Sequence, residues 1–453
     1  VMLLLVSTLG MIVLRYSRTY LQGDPGLAKY QRWMLLTLSA VTTLVVTDSL
    51  LLLALAWTAT SLALHQLLTY YGERTAALIA AHKKFLVSRL ADVFVLGSLA
   101  LVYLNVGSFR LGDLDAWLAA RSMLPASMEL AAVLLVVAVA LKSAQLPFHG
   151  WLTQVMEAPT PVSALLHAGV VNIGGFVLLR LAPWLAHARV APVLLVLIGL
   201  TSAVGAALVM STRISVKVAL AWSTCAQMGF MLVQCGLGLW SLALLHLVAH
   251  SLYKAHTFLR AGSAVEAWKL HAMAPPQPPP TWPRYALWAL VLAGLGLAGV
   301  ALARRLLPAS AESPSAPLLA ALVALSLVTL APMRWTGLRA VAGRLRDLVG
   351  VLLLYVGAHA LAGWLMPAPP APPNALAWAL VGAGLLVLFA AKSVLQLAPA
   401  GRVARALHPW LFSGFYLDER FTRWTFRLWP PRLPPQPDLA RSFPVSAPLE
   451  AGL

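Results

Sequence analysis

The sequence predicts an all-α polytopic membrane protein with about thirteen transmembrane helices, and three observations support that prediction. Hydrophobic residues fill 60% of the 453 positions and only 11% are charged, which is too little polar surface for a soluble protein of this length. Apolar runs long enough to cross a bilayer core recur along the chain. The basic residues alternate in density between the connections that join these runs. The predicted helix centres lie near residues 9, 40, 60, 96, 138, 172, 200, 225, 250, 294, 325, 357 and 386.

The net charge is +18, and most of the basic residues lie in the connections between helices, a placement that argues against a nucleic-acid partner. The positive-inside rule places the connections that are richer in lysine and arginine on the cytoplasmic side. It predicts a multi-pass inner-membrane protein whose C-terminus is cytoplasmic and whose surroundings are membrane lipid. The intervening connections hold six basic residues, and the richer set holds sixteen, at 15–32, 74–84, 213–217, 260–284 and 334–346.

Proline-rich stretches at 275–283 and 367–373 divide the chain, because such segments form extended connectors. The division predicts four parts. They are a motif-bearing transmembrane core (1–265), a Pro-rich cytoplasmic connector (266–284), C-terminal transmembrane helices (285–400) and a cytoplasmic or interfacial tail (401–453).

Lys142 is the first candidate for chemistry inside the membrane. It follows the apolar run 134–141 with no polar spacer, and Pro147 removes a backbone hydrogen bond five residues later. A break in a membrane helix leaves carbonyl groups that a lysine and water can satisfy. Burial also disfavours the charged form of a lysine, which permits proton exchange near neutral pH. Lys142 is therefore a candidate proton relay, and a lysine that reaches up to the interface is the alternative.

His167 is the second candidate. Pro159 and Pro161 flank Thr160 and predict the start of a helix, because proline is favoured in the first helical turn. Ser163 and His167, four residues apart, then share one face of that helix. Histidine titrates near neutral pH and suits a relay. A structural histidine bonded to a carbonyl group is the alternative.

His246, His250 and Lys254 form a third group, because their spacing of four residues places them on one stripe of one helix. Ionisable groups inside a membrane cost several kcal/mol each unless they serve an ion path. A zinc site is not favoured, since no cysteine or carboxylate joins the histidine pair. We predict no metal and no cofactor in this chain, and three relay residues on this stripe.

Lys217 and His65 are weaker candidates. Lys217 stands at a predicted helix start near the cytoplasmic face, where a plain positive-inside anchor and a role in proton uptake fit equally well. His65 lies on a stripe with Thr58 and Ser61, and it fits either the relay or a bond to Ser61 across one helical turn.

The tail combines aromatic residues with arginines near residues 415–429. This composition is typical of an interfacial helix or of a docking surface for another subunit, and both interpretations stay open. The candidate partner-binding residues are Phe415, Tyr416, Phe421, Trp424 and Phe426.

The segments 142–152 and 157–168 closely resemble the signature of antiporter-like membrane subunits. These are chain 5 (L) of respiratory complex I and the large subunits of Mrp-type cation/proton antiporters. The segments 217–229 and 246–263 are similar to the family segments that follow, so the resemblance covers residues 1–265. It implies inverted five-helix repeats, broken helices and a central line of lysines and histidines that passes protons. Lys142 would be the central relay lysine of that line.

Three departures from the family pattern separate this chain from the respiratory and Mrp members. Thr58 follows Trp57 where those members have the glutamate that pairs with the relay lysine. The second half lacks the usual Gly-Phe-Phe-Ser-Lys segment, and with it an evident second relay lysine. The chain also begins at what resembles the third helix of the family, so two family helices are expected to be absent or to lie upstream.

With these departures, the segments 61–66, 83–85, 167–172 and 415–419 resemble the DabB family, the membrane subunits of DAB-type inorganic carbon accumulation complexes of bacteria. That resemblance implies a large cytoplasmic partner, DabA, whose zinc site would hydrate CO2 to bicarbonate. The chain itself would be no enzyme, and would couple a proton or sodium gradient to its partner. The alternatives are a subunit of a respiratory NADH dehydrogenase or of an Mrp-type antiporter, and a non-conducting scaffold.

Overall fold

The computed structural model describes residues 1–263 and 375–431, with scattered positions between 265 and 364. These ranges are helical, and an isolated bridge joins Ser49 and Arg110. The first helices are α1 Met2–Tyr20, α2 Leu27–Val46, α3 Leu50–Leu68, α4 Thr75–Val106, α5 Leu111–Ala119, α6 Ala126–Lys142, α7 Gly150–Thr153 and α8 Thr160–Ala168. They are followed by α9 Ile173–Arg180, α10 Ala182–His187, α11 Val190–Met210, α12 Val216–Gly236, α13 Trp240–Leu259, α14 Ala375–Leu397, α15 Arg402–Phe412 and α16 Leu417–Leu428.

The all-α membrane fold is confirmed. Ten of the predicted helix centres lie in the continuously described ranges, and each falls within a helix or, near residue 172, in the turn that joins α8 to α9. The centres near 294, 325 and 357 and the connector 266–284 lie outside those ranges, so the count of thirteen stays a prediction. The described segments long and apolar enough to span a membrane are Met2–Tyr20, Leu50–Leu68, Thr75–Val106, Thr160–Arg180, Val190–Met210, Val216–Gly236 and Ala375–Leu397.

The broken helices are also confirmed. α6 ends at Lys142, and the chain is non-helical until α7 begins at Gly150. α8 begins at Thr160 with Pro159 as its N-cap and Pro161 in its first turn, as the paired prolines predict. A second interruption lies at Gly169, between α8 and α9, where a 3₁₀ turn joins the two helices. Lys142 and His167 therefore each stand at the end of a helical segment.

Buried apolar side chains join the tail and α14 to the rest of the bundle. Val196 and Val233, from α11 and α12, pack with Val381 of α14. Trp222 and Cys225 of α12 pack with Leu411 of α15. The C-terminal segments thus lie against α11 and α12, close to the break that follows Lys142.

α11 and α12 approach each other closely at a pair of glycines. A methyl group on Gly229 would lie 2.6 Å from the carbonyl oxygen of Gly199, and one on Gly199 would lie 2.5 Å from the carbonyl oxygen of Gly229. Small residues at such crossings allow helix backbones in a membrane to touch. This contact positions α12, which carries several polar side chains of the candidate site.

Gly229→Ala should therefore destabilise the folded protein by about 1–3 kcal/mol, because the added methyl group meets backbone that cannot yield. The measurement is the thermal unfolding midpoint of the detergent-solubilised protein. Gly112→Ala is the matched control, since nothing lies within 4 Å of a methyl group at Gly112. Equal midpoints for the two variants would contradict the close contact.

Candidate functional site

The break after Lys142 is held in place by α11 and α12. Ala144 adopts a left-handed backbone conformation with φ 53°, which is unfavourable for a residue with a Cβ atom. The Cys225 thiol donates a hydrogen bond to the Ala144 carbonyl oxygen at 3.1 Å, and the Leu146 amide donates to the Ser202 hydroxyl at 3.0 Å. These side chains fix the path of the backbone where α6 ends, and so they fix the position of Lys142.

Lys142 is buried and paired with a carboxylate that comes from another position than Thr58. Its Nζ lies 2.6 Å from Oδ1 of Asp92, on α4, and 4.6 Å from the centre of the Trp57 ring. Asp92 also pairs with Arg89 at 2.8 Å, one turn earlier on α4. Thr58 supplies no carboxylate, and α4 provides one instead. The sequence carries a signal for this pair, because Arg89 and Asp92 are ionisable residues within an apolar helix.

A further buried cation, Lys84, lies next to this pair. Its Nζ donates to the carbonyl oxygen of Ser61 and, at 2.8 Å, to the Ser61 hydroxyl. Ser61 is therefore bonded to Lys84 instead of His65, whose ring packs 5.5 Å from that of Phe85. Lys84, Arg89 and Lys142 surround the single carboxylate of Asp92, so this first cluster carries net positive charge when all four are ionised.

His167 and Lys254 form a second cluster against α12. His167 is fully buried, its Nδ1 lies 3.1 Å from the Thr224 hydroxyl, and its ring stacks on Phe258 at 4.3 Å. Lys254 is also fully buried, and its Nζ donates to the Leu220 carbonyl oxygen at 3.0 Å and to the Ser223 hydroxyl at 2.8 Å. Residues 220–224 of α12 thus hold both predicted relay groups.

The remaining members of the α13 stripe continue from Lys254. His250 is buried and its ring lies 5.9 Å from that of His246, whose Nδ1 lies 2.9 Å from the Gln234 side-chain oxygen. His256, on the same helix, is exposed. The structure therefore places the three predicted residues on the inner side of α13.

Several buried polar atoms along this region have no hydrogen-bond partner in the described part of the chain. Buried polar groups are nearly always hydrogen-bonded, to protein or to ordered water. Both ring nitrogens of His250 and His149 belong to this set, and such groups suit a hydrated path that passes protons. The other side chains with such an atom include Ser143, Gln145, Ser163, His167, Asn172 and His246.

Lys217 lies at the start of α12 and donates to the Thr160 hydroxyl at 3.0 Å. This bond ties α12 to the N-terminus of α8, seven residues before His167. This contact fits both interpretations of Lys217, the positive-inside anchor and the role in proton uptake.

Three phenylalanines of the tail pack against the rest of the chain. Phe421 packs edge-to-face on Phe148 at 5.3 Å, and Phe426 packs on His82 at 5.8 Å. Phe415 is partly buried against the cluster around Trp222. Tyr416 and Trp424 are exposed. Of the five predicted partner-binding residues, Trp424 and Tyr416 are exposed, although the Tyr416 ring packs on Trp410 at 5.8 Å, and the other three contact the core of this chain.

Sequence reasoning missed Asp92, Lys84 and Lys83 as parts of the site. Lys83 is 1% exposed and pairs with Asp418 of the tail at 3.0 Å. The pair joins residues 335 positions apart, which no local pattern can reveal. In the described ranges, no group of three metal-ligating side chains is found.

Comparison with known proteins identifies the family. Residues 47–299 match the model of the NADH:quinone oxidoreductase/Mrp antiporter transmembrane family. The chain is 38% identical over 438 residues to the probable inorganic carbon transporter subunit DabB of Hydrogenovibrio crunogenus, covering 96% of this chain and 83% of the relative. The chain belongs to the DabB family, within the antiporter-like membrane subunits.

Other relatives agree with this placement. The chain is 38% identical to the probable subunit DabB2 of Halothiobacillus neapolitanus, covering 95% of this chain and 79% of the relative. NADH-quinone oxidoreductase subunit L of Rhodobacter capsulatus is 34% identical over 59% of this chain and 40% of its own length. A solved chain of the Mrp complex from Dietzia sp. DQ12-45-1b superposes with a TM-score of 0.60 at 27% identity, covering 93% of this chain. This chain spans about half of that Mrp chain, 52%.

Asp92→Asn should lower the thermal unfolding midpoint more than Lys142→Met does. The first variant leaves Arg89 and Lys142 without the carboxylate that both contact, whereas the second leaves Asp92 paired with Arg89. Removing one partner of a buried ion pair costs about 3–5 kcal/mol. The midpoints are measured on detergent-solubilised protein, with Asp113→Asn, at an exposed carboxylate, as the control. The opposite order would contradict the shared role of Asp92.

Proposed function

We propose that this chain is the ion-conducting membrane subunit of an inorganic carbon transporter, and that protons moving through it drive hydration of CO2 to bicarbonate by a separate zinc subunit of the DabA type. The chain would be multi-pass in the bacterial inner membrane, with its C-terminus in the cytoplasm. The chain itself would catalyse no reaction. Sodium is the alternative coupling ion.

The observation that carries this proposal is the pair of buried polar clusters inside an apolar bundle. Ionisable groups at membrane depth are retained at a free-energy cost, and they usually line a path for ions or protons. The first cluster brings together Lys84, Arg89, Asp92 and Lys142. The second brings together His167 and Lys254, and the α13 stripe continues from it to His250. Groups with exchangeable protons at these buried positions support proton transfer through the bundle.

The extent of similarity favours the carbon transporter over the respiratory enzyme. The DabB relatives match 95–96% of the chain, which includes the tail, whereas the subunit L relative matches 59%. An Mrp-type cation/proton antiporter is the second candidate, since the Mrp fold superposes on 93% of the chain. The carbon transporter and the antiporter predict different growth phenotypes, and this difference provides the test.

The test is growth of a carbonic-anhydrase-deficient bacterium in ambient air with this chain and the product of its neighbouring gene co-expressed. Rescue that an uncoupler abolishes supports the carbon transporter. Failure of rescue, together with restored growth at high sodium and alkaline pH, would contradict the carbon transporter and support the antiporter.

Lys142→Met should abolish the rescue, because methionine preserves the volume of the side chain but removes its exchangeable proton. Lys29→Met, at an exposed lysine in the α1–α2 region, is the control and should rescue fully. Membrane levels of both variants are measured by immunoblot. Full rescue by Lys142→Met at normal membrane levels would contradict a proton-relay role for Lys142 and indicate a non-conducting scaffold.

His250→Gln should reduce growth in air by roughly tenfold or more, as expected when a proton relay group is lost. His256→Gln changes the same residue type six positions later on α13, where the side chain is exposed, and should grow as the parent does. Growth rates at ambient and raised CO2 separate a transport defect from general toxicity. Equal growth of the two variants in air would remove His250 from the path.

A further inference from the structure

The tail helix α16 is bound to the core by a buried ion pair. Lys83 Nζ lies 3.0 and 3.1 Å from the two carboxylate oxygens of Asp418 and 2.9 Å from the side-chain oxygen of Gln154. The Gln154 amide in turn donates to Asp418 at 2.5 Å. The Lys83 side chain is 2% exposed and that of Asp418 is 18% exposed. Since an unpaired charge in such a place is strongly unfavourable, this pair holds α16 where it is.

The same helix covers the chain that follows the break after Lys142. A methyl group on Gly150 would collide with the Asp418 carboxylate, so the absence of a side chain at Gly150 makes room for that group. Phe421, one turn further along α16, packs edge-to-face on Phe148. Three neighbouring positions of the segment, Phe148, Gly150 and Gln154, are therefore covered by one face of α16.

The opposite side of this segment rests on α11 and α12. Ser202 accepts a hydrogen bond from the Leu146 amide, and the Cys225 thiol donates to the Ala144 carbonyl oxygen. His149 is fully buried between these layers, with its ring 4.6 Å from Trp222. The break thus lies between α16 on one side and α11 and α12 on the other.

We propose that α16 is a brace that keeps the break after Lys142 closed, and that Asp418 and Lys83 are positioning residues for the Lys142 relay. The inference rests on the proposed function. When the ion pair is lost, α16 leaves residues 148–154, and water from the tail side reaches the segment that fixes Lys142. Neither residue hands on the proton itself.

Two cysteines of the chain can report this opening. Cys225 is 0% exposed and bonded to the break, whereas Cys235 is 2% exposed and lies on the same helix about 15 Å further along its axis. Both thiols are free. The ratio of their labelling rates with N-ethylmaleimide therefore measures access to the break, with Cys235 reporting on the integrity of the bundle.

The experiment labels membranes that contain the full chain co-expressed with the product of its neighbouring gene, and quantifies both cysteine peptides by mass spectrometry. Asp418→Asn should raise the Cys225 to Cys235 ratio roughly tenfold, because local opening becomes frequent when a buried pair loses one charge. Glu419→Gln, at the adjacent exposed carboxylate of α16, should leave the ratio unchanged. The charge swap Lys83→Asp with Asp418→Lys should restore the parental ratio. Equal ratios for Asp418→Asn and Glu419→Gln, or a swap that labels as fast as Asp418→Asn, would overturn the brace.

A second variant keeps the test decisive if Asp418→Asn unfolds the protein, which a rise in Cys235 labelling would reveal. Gly150→Ala displaces the Asp418 carboxylate without removing a charge, and it should also raise the Cys225 ratio. A parental ratio for Gly150→Ala would overturn the proposal. The labelling does not depend on transport. A raised ratio in Asp418→Asn together with full rescue by Lys142→Met would therefore retain the brace and reject the proton path.

Discussion

The structure is organised around the cost of placing Lys142 inside an apolar bundle. A lone ammonium group there would be strongly unfavourable, and the protein offsets this cost with the carboxylate of Asp92 at 2.6 Å and the face of the Trp57 ring. The pair requires α3, α4 and α6 to meet at one depth. On α4, Asp92 follows Lys83 by nine residues, about 14 Å at the α-helical rise, so one helix contacts both the tail and Lys142.

The interruptions of the helices follow from the same constraint. A helix that ends inside the bundle leaves carbonyl groups without intrahelical partners, and polar side chains must satisfy them. At the break after α6, the Cys225 thiol satisfies the Ala144 carbonyl oxygen, and the Ser202 hydroxyl accepts a hydrogen bond from the Leu146 amide. At the second interruption, Asn172 bonds the Ala168 carbonyl oxygen and the Ser251 hydroxyl. Both breaks therefore depend on side chains of neighbouring helices, which makes the packing of α11, α12 and α13 part of the site.

Sequence patterns predicted the parts of the site that depend on local chemistry. Lys142 is evident because a charge interrupts an apolar run, and the stripe His246, His250 and Lys254 is evident because helical spacing is regular. Asp92 as the partner of Lys142 depends on the packing of α4 on α6, which no spacing reveals. The inward orientation of Phe421 and Phe426 depends on Lys83 pairing with Asp418, a contact between distant parts of the chain. For that reason the sequence of the tail was compatible with a docking surface, whereas in the structure Phe421 and Phe426 pack on this chain itself.

The two polar clusters differ in how their charge is balanced, and one stretch of α12 connects them. In the described ranges, the Asp92 carboxylate offsets part of the positive charge of the first cluster, whereas Lys254 contacts a carbonyl oxygen and a hydroxyl group. A charge on Lys254 is thus stabilised by dipoles that belong to α12 itself. The other side of the same stretch contacts the break, through Trp222 against His149 and Cys225 against Ala144. The groups that hold Lys254 and the groups that hold the break after Lys142 therefore belong to one stretch of α12, so a movement of that stretch would affect both clusters.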